Sequence, residues 1–107
     1  MIEFKGLLSF LILHELHRKS LCGEDLAKKI GKRKGSMLTP GTIYPALKNL
    51  RELNLISFDQ FGRKKMYSLT SKGQKELSNQ YELFSTYFYG LKSFIRRPKK
   101  QTKTSKQ

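Results

Sequence analysis

The segment at residues 39–53 constrains the fold most, because it marks where a helix starts and gives that helix one apolar face. Thr39 carries a hydroxyl that can cap the first turn. Pro40 suits the first helical position, where a missing N–H costs no hydrogen bond. Apolar residues then follow at steps of four, three and three, at Ile43, Leu47, Leu50 and Leu53. The segment therefore predicts a short helix that packs one side on a core.

The other side of this helix predicts a contact with DNA. Its polar residues are Thr42, Tyr44, Lys48 and Arg51, and Thr39 precedes them. A short helix with a polar, donor-rich first turn in a basic protein is typical of a helix that reads the major groove. On this segment alone, an ordinary surface helix of a small domain fits equally well, so the rest of the chain has to separate the two interpretations.

The charge of the chain favours a polyanionic partner. The net charge is +14, from 22 Lys and Arg residues against 8 Asp and Glu residues in 107. Lys and Arg neutralise phosphates and release counterions, so double-stranded DNA is the first candidate. An anionic membrane surface is the second, but the cations do not follow one face of an amphipathic helix. The length allows one domain with a tail.

The number of cysteines and the length of the apolar runs predict the cellular compartment. The single cysteine, Cys22, cannot form an intramolecular disulfide and suits a reducing cytosol. The apolar run at residues 7–16 is too short to span a bilayer and lacks the features of a signal peptide. We therefore expect a cytoplasmic, nucleoid-associated protein without a membrane segment.

Two helices are predicted before residue 39. The first, at residues 3–19, has a broader apolar face than one contact needs, so we assign Leu8 and Leu11 to contact with a second subunit. A turn at residues 20–23 leads to a second helix at residues 23–30. Gly31 is expected to end that helix, and the loop that follows supplies the cations Lys32, Arg33 and Lys34.

A hairpin is predicted after the third helix. Asn54 is expected to end that helix in the left-handed conformation. Strands at residues 55–58 and 66–69 flank a turn with three consecutive cations, Arg63, Lys64 and Lys65. Three helices followed by a basic hairpin form a winged helix-turn-helix domain, and the tip of the wing is expected to contact phosphates or the adjacent minor groove.

A long last helix is predicted at residues 71–95, capped by Thr70 or Ser71. Its apolar residues follow a heptad spacing, at Leu77, Tyr81, Phe84, Phe88, Leu91 and Ile95. A stripe of this length on a small domain predicts a dimerisation helix. Residues 96–107 carry six cations and no acid, which predicts a disordered tail. The expected organisation is a DNA-binding domain at residues 1–70, the dimerisation helix and the tail.

The chain resembles the PadR family of winged helix-turn-helix transcriptional regulators. The resemblance rests on Gly-Thr-Ile-Tyr-Pro-Ala-Leu at residues 41–47 and on Tyr-Ser-Leu-Thr at residues 67–70, followed by Gly73. Gly23 is followed by Glu24 where the family commonly has tyrosine, and Asn54 stands where it commonly has glycine. The resemblance implies a homodimer built from the first and last helices, with the single last helix of the smaller subgroup. It implies binding to a two-fold symmetric operator, usually to repress transcription. Thr42 and Tyr44 would then lie in the part of the helix that faces the DNA groove.

Other chemistry finds little support in the sequence. His14, His17 and Cys22 could bind zinc or copper, but two surface histidines and a small buried thiol are the more ordinary interpretation, so no metal or other cofactor is expected. No phosphate-binding loop, dinucleotide fingerprint or nucleophile motif is present in the sequence, so no enzyme is expected.

The sequence thus predicts a mainly α protein with a small β-hairpin wing, of the α+β class. We expect a sequence-specific regulator, a repressor acting as a homodimer on a palindromic operator. The alternative is an architectural protein that coats DNA with low specificity, which the high charge and the lysine-rich tail favour. A small-molecule effector is compatible with the aromatic residues of the last helix but is not indicated by them.

Overall fold

The computed structural model describes residues 4–35 and 38–89. The chain forms four helices and three strands, and they occur in the order α1 (Phe4–Arg18), β1 (Leu21–Cys22), α2 (Gly23–Lys34), α3 (Pro40–Glu52), β2 (Ile56–Phe61), β3 (Lys64–Leu69) and α4 (Ser71–Tyr89). A three-helix unit, a hairpin wing and a long C-terminal helix follow one another along the chain. The predicted fold class, a winged helix-turn-helix domain with a long last helix, is confirmed.

The sheet has three antiparallel strands in the order β1-β3-β2. Leu21 lies opposite Tyr67, so β1 extends the wing at its inner edge. The sequence predicted only a turn at residues 20–23, and this was wrong. Two residues carry no alternating pattern of their own, and they become a strand because β3, more than 40 residues later, supplies the hydrogen-bonding partners.

The core lies between the first three helices, the sheet and the first half of α4. Apolar side chains come from every one of these elements, and the fully buried ones are Ile12, Leu13, Leu26, Ile30, Ile43, Leu47, Leu50, Ile56 and Leu77. Among the predicted stripe residues of α3, only Leu53 is exposed, because the helix ends at Glu52. The apolar stripe of α3 therefore packs on the core, as its spacing predicted. The opposite side of the helix is left for a partner.

The second helix is longer than predicted. It continues through Gly31 to Lys34, and Gly35 takes the left-handed conformation (φ 84°) that closes it, with its N–H directed at the carbonyls of Gly31 and Lys32. The predicted basic loop at residues 32–36 was therefore wrong up to Lys34, since Lys32 to Lys34 form the last turn of the helix. Glycine within a helix is unfavourable by about 1 kcal/mol, and burial of the apolar face of α2 outweighs that cost.

Two polar residues shape the approach to α4. Asn54 has φ 64°, the left-handed conformation predicted for it, and it turns the chain out of α3. The Thr70 hydroxyl accepts the N–H of Gly73 at 2.9 Å, so Thr70 caps α4, one of the two residues predicted to do so. The Gln74 N–H donates to the Thr70 carbonyl at 2.9 Å, and so continues the hydrogen bonding of this first turn.

Some predicted features lie outside the described residues. These are Leu91, Ile95 and the tail at residues 96–107, and the predicted last helix is described as far as Tyr89. No helix in the described part of the chain is both long enough and apolar enough to cross a membrane.

Candidate nucleic-acid interface

The polar start of α3 lies on the surface. Thr39 is the N-cap residue by position, and its carbonyl accepts the N–H groups of Thr42 and Ile43 at 3.0 Å each. Its hydroxyl caps nothing, contrary to the sequence-based prediction, and instead lies 3.2 Å from the Thr42 hydroxyl. The N–H of Thr42, which a capping hydroxyl could accept, donates instead to the Thr39 carbonyl. Two hydroxyls are thus presented together at the outer end of α3.

Tyr44 of α3 packs its ring against the start of α2. A Cβ atom added at Gly23 would lie 2.7 Å from Cε1 of the Tyr44 ring, so the ring rests directly on the glycine backbone. The side chain is still 46% exposed. Tyr44 therefore connects two helices while keeping a polar edge on the surface, a double role that the sequence did not indicate.

A pocket of about 340 Å³ opens between these helices and the wing. It is lined by Cys22, Gly23 and Glu24 of β1 and α2, by Tyr44, and by Arg63, Lys64, Lys65 and Tyr67 of the wing. Three cations and one carboxylate therefore surround it. The sequence predicted the cations of the wing, but it did not predict that they would meet the start of α2.

Phe58 connects the wing to α3. The guanidinium carbon of Arg51 lies 5.4 Å from the centroid of the Phe58 ring, and Lys65 Nζ lies 4.8 Å from the same centroid. Cations at these distances are attracted by the negative face of the aromatic ring. Two predicted DNA-binding residues from different elements are thus held on one ring. Phe58 is not among the residues predicted to contribute to this surface, because its place in a short strand carries no such signal.

The two faces of the wing differ. Side chains directly opposite each other share a face, so Phe58, Tyr67 and Lys65 lie on the side of α3, whereas Phe61 and Lys64 lie on the other side. Both strands are longer than predicted, and a turn at Gly62 (φ 63°) and Arg63 joins them. Arg63, Lys64 and Lys65 are all exposed, as is Lys48 of α3.

The cations at the end of α2 are not equivalent. Arg33 donates from Nε and Nη2 to Oε2 of Glu15, at 3.1 and 2.9 Å, and so connects α2 to α1. Lys32 is exposed, and the side chain of Lys34 lies outside the described part of the structure. The guanidinium predicted to bind phosphates is therefore already occupied by a carboxylate of the same chain.

The apolar residues predicted to form a dimer divide into two groups. Leu8 and Leu77 are buried in the core of the single chain, so assigning them to a surface for a second subunit was wrong. Tyr81 and Phe84 contact α1 of their own chain, with the Phe10 ring 5.5 and 4.6 Å from theirs. The Tyr81 hydroxyl also lies 2.6 Å from Nδ1 of His14.

Part of the apolar surface of α1 and α4 remains uncovered. Leu11 is half-buried against the core, whereas Leu7, Leu83, Tyr87 and Phe88 are exposed. Soluble monomers rarely expose large apolar side chains in a continuous patch, so this surface suits a partner. Within the described residues, no three His, Cys, Asp or Glu side chains are placed to hold a metal ion.

Tyr67 has an altered acidity. Burial raises the pKa of its hydroxyl above the ordinary value, the nearby Tyr44 adds to that effect, and Arg51 opposes it. Tyr67 also lines the pocket described above. The sequence did not indicate that Tyr67 is buried, apart from its position in a strand with alternating apolar residues.

Comparison with curated proteins gives one informative relative. The chain is 30% identical over 53 residues to a transcriptional activator, GvpE, of Haloferax mediterranei, and the match covers 50% of this chain. It spans only 28% of the length of that relative.

Two transcription regulators are among the solved structures that share the fold of this chain. A PadR family transcription regulator from Clostridium difficile is 28% identical, with a TM-score of 0.72, and the match covers 85% of this chain and all of the other. A PadR-like regulator from Bacillus cereus reaches a TM-score of 0.76 at 24% identity, covering 87% of this chain and 95% of the other.

The family itself follows from a match to a sequence model. The model of the transcriptional regulator PadR-like family matches residues 12–79, which run from the middle of α1 through α3 and the wing into α4. This range contains the helix, the wing and the pocket described above. The chain therefore belongs to the PadR-like family of transcriptional regulators.

Proposed function

We propose that this protein is a sequence-specific transcriptional repressor that binds a palindromic DNA operator as a homodimer. Family membership supports DNA binding and transcription regulation, and these regulators are generally not enzymes. The observation that carries the proposal is the junction at Phe58, where a cation of α3 and a cation of the wing lie on one ring. Arg51 and Lys65 would then contact neighbouring parts of one duplex.

In this proposal the first turn of α3 reads base edges. The Thr39 and Thr42 hydroxyls project there, and hydroxyls can pair with either donors or acceptors in the major groove. Lys48, Arg51 and the wing cations hold the backbone, which positions α3 without selecting a sequence. Lys32 extends this surface along α2, whereas Arg33 is assigned to the contact with Glu15 instead.

The homodimer is assigned to α4 with part of α1. Leu83 and Tyr87 are 53% and 59% exposed and are neighbours on α4, one turn apart. Nineteen described residues give this helix a length of roughly 28 Å at 1.5 Å per residue, enough for an extended contact. Residues 1–70 would bind DNA, and residues 71–95 would pair the subunits.

A second candidate function is low-specificity coating of DNA. It is favoured by the net charge of +14 and by the exposure of all three wing cations. Such binding is almost entirely electrostatic, so its affinity falls steeply with salt and leaves no preferred sequence.

Selection of bound duplexes from a random library, with the full chain at moderate and at high salt, tests the two functions. An enriched inverted repeat that persists at high salt supports the specific dimeric regulator, and its half-site spacing gives the distance between the two α3 helices. Recovery of unenriched duplexes that disappear as salt rises would reject it in favour of coating. A reporter gene behind the selected site then measures whether transcription falls, as a repressor requires, or rises.

The dimer is tested separately by analytical ultracentrifugation. Leu83→Asp together with Tyr87→Asp should give monomers, because two carboxylates would be buried in the subunit contact. Ser78→Asp is the matched control, since Ser78 is exposed on roughly the opposite side of α4 at 3.6 residues per turn. A double variant that sediments like the wild type would remove α4 from the proposed dimer.

A further inference from the structure

Strand β2 ends in an exposed aromatic side chain. Phe61 is the last residue of this strand and is 65% exposed, whereas Phe58 of the same strand is half-buried against the core. Single exposed apolar residues are ordinary on protein surfaces, so the exposure indicates little on its own. The position of the ring and the charges around it decide whether it suits a partner.

The wing projects from the core, and Phe61 lies at its outer end. Ile56 and Tyr67 are buried near the base of the wing, whereas Phe61 and Lys64 are exposed at the other end of the two strands. Residues 61–64 contain the turn between β2 and β3, and we call them the wing tip. A side chain at the wing tip can contact a partner that does not touch the core.

The wing tip combines an apolar ring with positive charge. Phe61 and Lys64 lie opposite each other in the register of β2 and β3, so their side chains share one face of the hairpin. Arg63 is exposed beside them. Asp59 shares this face, but it lies two residues nearer the base of the wing, about 7 Å along the strand. This arrangement suits a polyanion that also offers apolar surface close to its charges.

The minor groove of DNA offers both kinds of surface. Phosphates line its rims, whereas sugars and base edges form its walls and floor. Phenylalanine is one of the apolar residues that proteins insert into the minor groove. Protein interfaces, in contrast, are depleted of lysine relative to the rest of the surface. The chemistry of the wing tip therefore favours a DNA groove over a protein partner.

The distance from α3 allows Phe61 to reach a neighbouring groove. Arg51 of α3 and Lys65 of the wing both lie on the Phe58 ring, at 5.4 and 4.8 Å from its centroid. Phe61 follows Phe58 by three residues, which is about 10 Å along a strand. The minor groove is about 6 Å wide. If the two cations contact the backbone beside α3, the wing tip extends far enough to enter the minor groove on the other side of that backbone.

Contacts within the free protein set the position of the wing tip. The Gln60 side chain donates from Nε2 to the Gly62 carbonyl at 3.2 Å, and Gly62 has the left-handed conformation (φ 63°). At the base of the wing, the Phe58 ring lies 5.6 Å from the ring of the buried Tyr67. A side chain that is already positioned loses less conformational entropy on binding, so Phe61 is suited to contribute affinity.

We propose that Phe61 enters the minor groove next to the major groove occupied by α3, and that it contacts the sugars and base edges there. The inference rests on the proposed DNA-binding function and deepens it, because it adds a residue of the wing that selects sequence. An A·T pair presents only acceptors in the minor groove, whereas guanine adds its N2 amino group. That group occupies the floor of the groove, so Phe61 selects against guanine at roughly two neighbouring base pairs of each half-site, the span of one base step.

The first test compares the full-length wild type with Phe61→Ala. Affinity for a duplex that the wild type binds is measured by fluorescence anisotropy at several salt concentrations. Phe61→Ala should lose about tenfold at every salt concentration, because an apolar contact releases no counterions. Ser57→Ala is the matched control and should bind like the wild type, since Ser57 is exposed on the same face at the base of the wing. Lys64→Ala should instead change the slope against salt.

The second test locates the ring on the duplex. Inosine paired with cytosine presents the same major-groove face as guanine paired with cytosine, but it lacks the N2 amino group in the minor groove. Each base pair that flanks the site of α3 is set in turn to G·C and to I·C. The wild type should bind the I·C duplex severalfold more tightly at roughly two neighbouring positions of each half-site. Phe61→Ala should bind the two duplexes equally at those positions.

Three outcomes overturn the inference. If Phe61→Ala binds like the wild type, the ring does not contact DNA. If its loss of affinity disappears at high salt, the substitution acts through the cations of the wing. If the preference for I·C remains in Phe61→Ala, another group reads the minor groove. A wild type that binds no duplex would reject the proposed function together with this inference, so the two failures are distinguishable.

A second copy of the chain is the other partner that an exposed ring could contact. Analytical ultracentrifugation of the wild type and Phe61→Ala without DNA separates the two partners. Equal sedimentation supports DNA as the partner, whereas a smaller species for Phe61→Ala would assign the ring to a subunit contact and overturn the inference. Phe61→Leu keeps an apolar side chain and should recover part of the affinity, so it repeats the test if Phe61→Ala folds poorly in urea titrations.

Discussion

The guanidinium of Arg33 donates twice to a single oxygen of Glu15, from Nε at 3.1 Å and from Nη2 at 2.9 Å. Glu15 is 5% exposed, the only buried charged residue in the described part of the chain. The pair joins the last turn of α2 to α1. Arg33, which the sequence predicts to bind DNA, therefore also connects two helices of its own chain.

Replacing Arg33 should destabilise the fold and leave DNA binding unchanged. Arg33→Met leaves the buried carboxylate without its partner, so the free energy of unfolding should fall by about 1–3 kcal/mol in urea titrations. The salt dependence of DNA binding should stay unchanged. Lys32→Met, at the exposed neighbouring position, should show the reverse pattern, with normal stability. A lower salt slope for Arg33→Met would return this residue to the DNA surface.

Gly73 is required by a close approach of two backbones. A Cβ at this position would lie 2.0 Å from the carbonyl oxygen of Leu55, and a backbone atom cannot move aside as a side chain can. Gly73→Ala should therefore lose about 3 kcal/mol or more in urea unfolding. Gly6→Ala is the control, because nothing lies within 4 Å of its Cβ and alanine favours a helix. Equal stability of the two variants would contradict the contact between α4 and Leu55.

The cations of the wing should contribute to affinity without selecting sequence. Replacing Arg63, Lys64 and Lys65 by alanine should weaken binding to every duplex. The slope of log affinity against log salt should become less negative by about 0.9 for each phosphate that the protein no longer neutralises. Lys64→Ala alone, compared with Lys75→Ala on the exposed side of α4, separates a local effect from a change in net charge. An unchanged slope in the triple variant would place the wing away from DNA.

Alkaline pH should destabilise the protein through Tyr67. Burial raises the pKa of this hydroxyl in the folded chain above its ordinary value of about 10. Its contribution to stability is therefore complete below pH 10 and is lost as the pH rises toward the higher folded value, because the unfolded chain releases the proton first. Urea unfolding between about pH 8 and pH 11.5 should show a smaller loss for Tyr67→Phe than for the wild type. Parallel curves for the two proteins would show that the hydroxyl titrates normally.

The sequence by itself determined the helices, the wing and the family. Periodic apolar residues fixed α1, α3 and α4, and Pro40 and Asn54 marked the two ends of α3, because these are local preferences of the backbone. The run at residues 41–47 carried the resemblance that the family match confirms. The places of Thr42, Lys48 and the wing cations on the surface also followed from local pattern alone.

Only the tertiary structure decided which side chains are free to bind. Arg33 is occupied by Glu15, eighteen residues away, and Leu8 and Leu77 are buried in the core that α1 and α4 share. Strand β1 exists because β3 pairs with it, and the pocket of Tyr67 exists because three elements meet there. These features depend on partners distant in sequence, and no local propensity or spacing carries information about such partners.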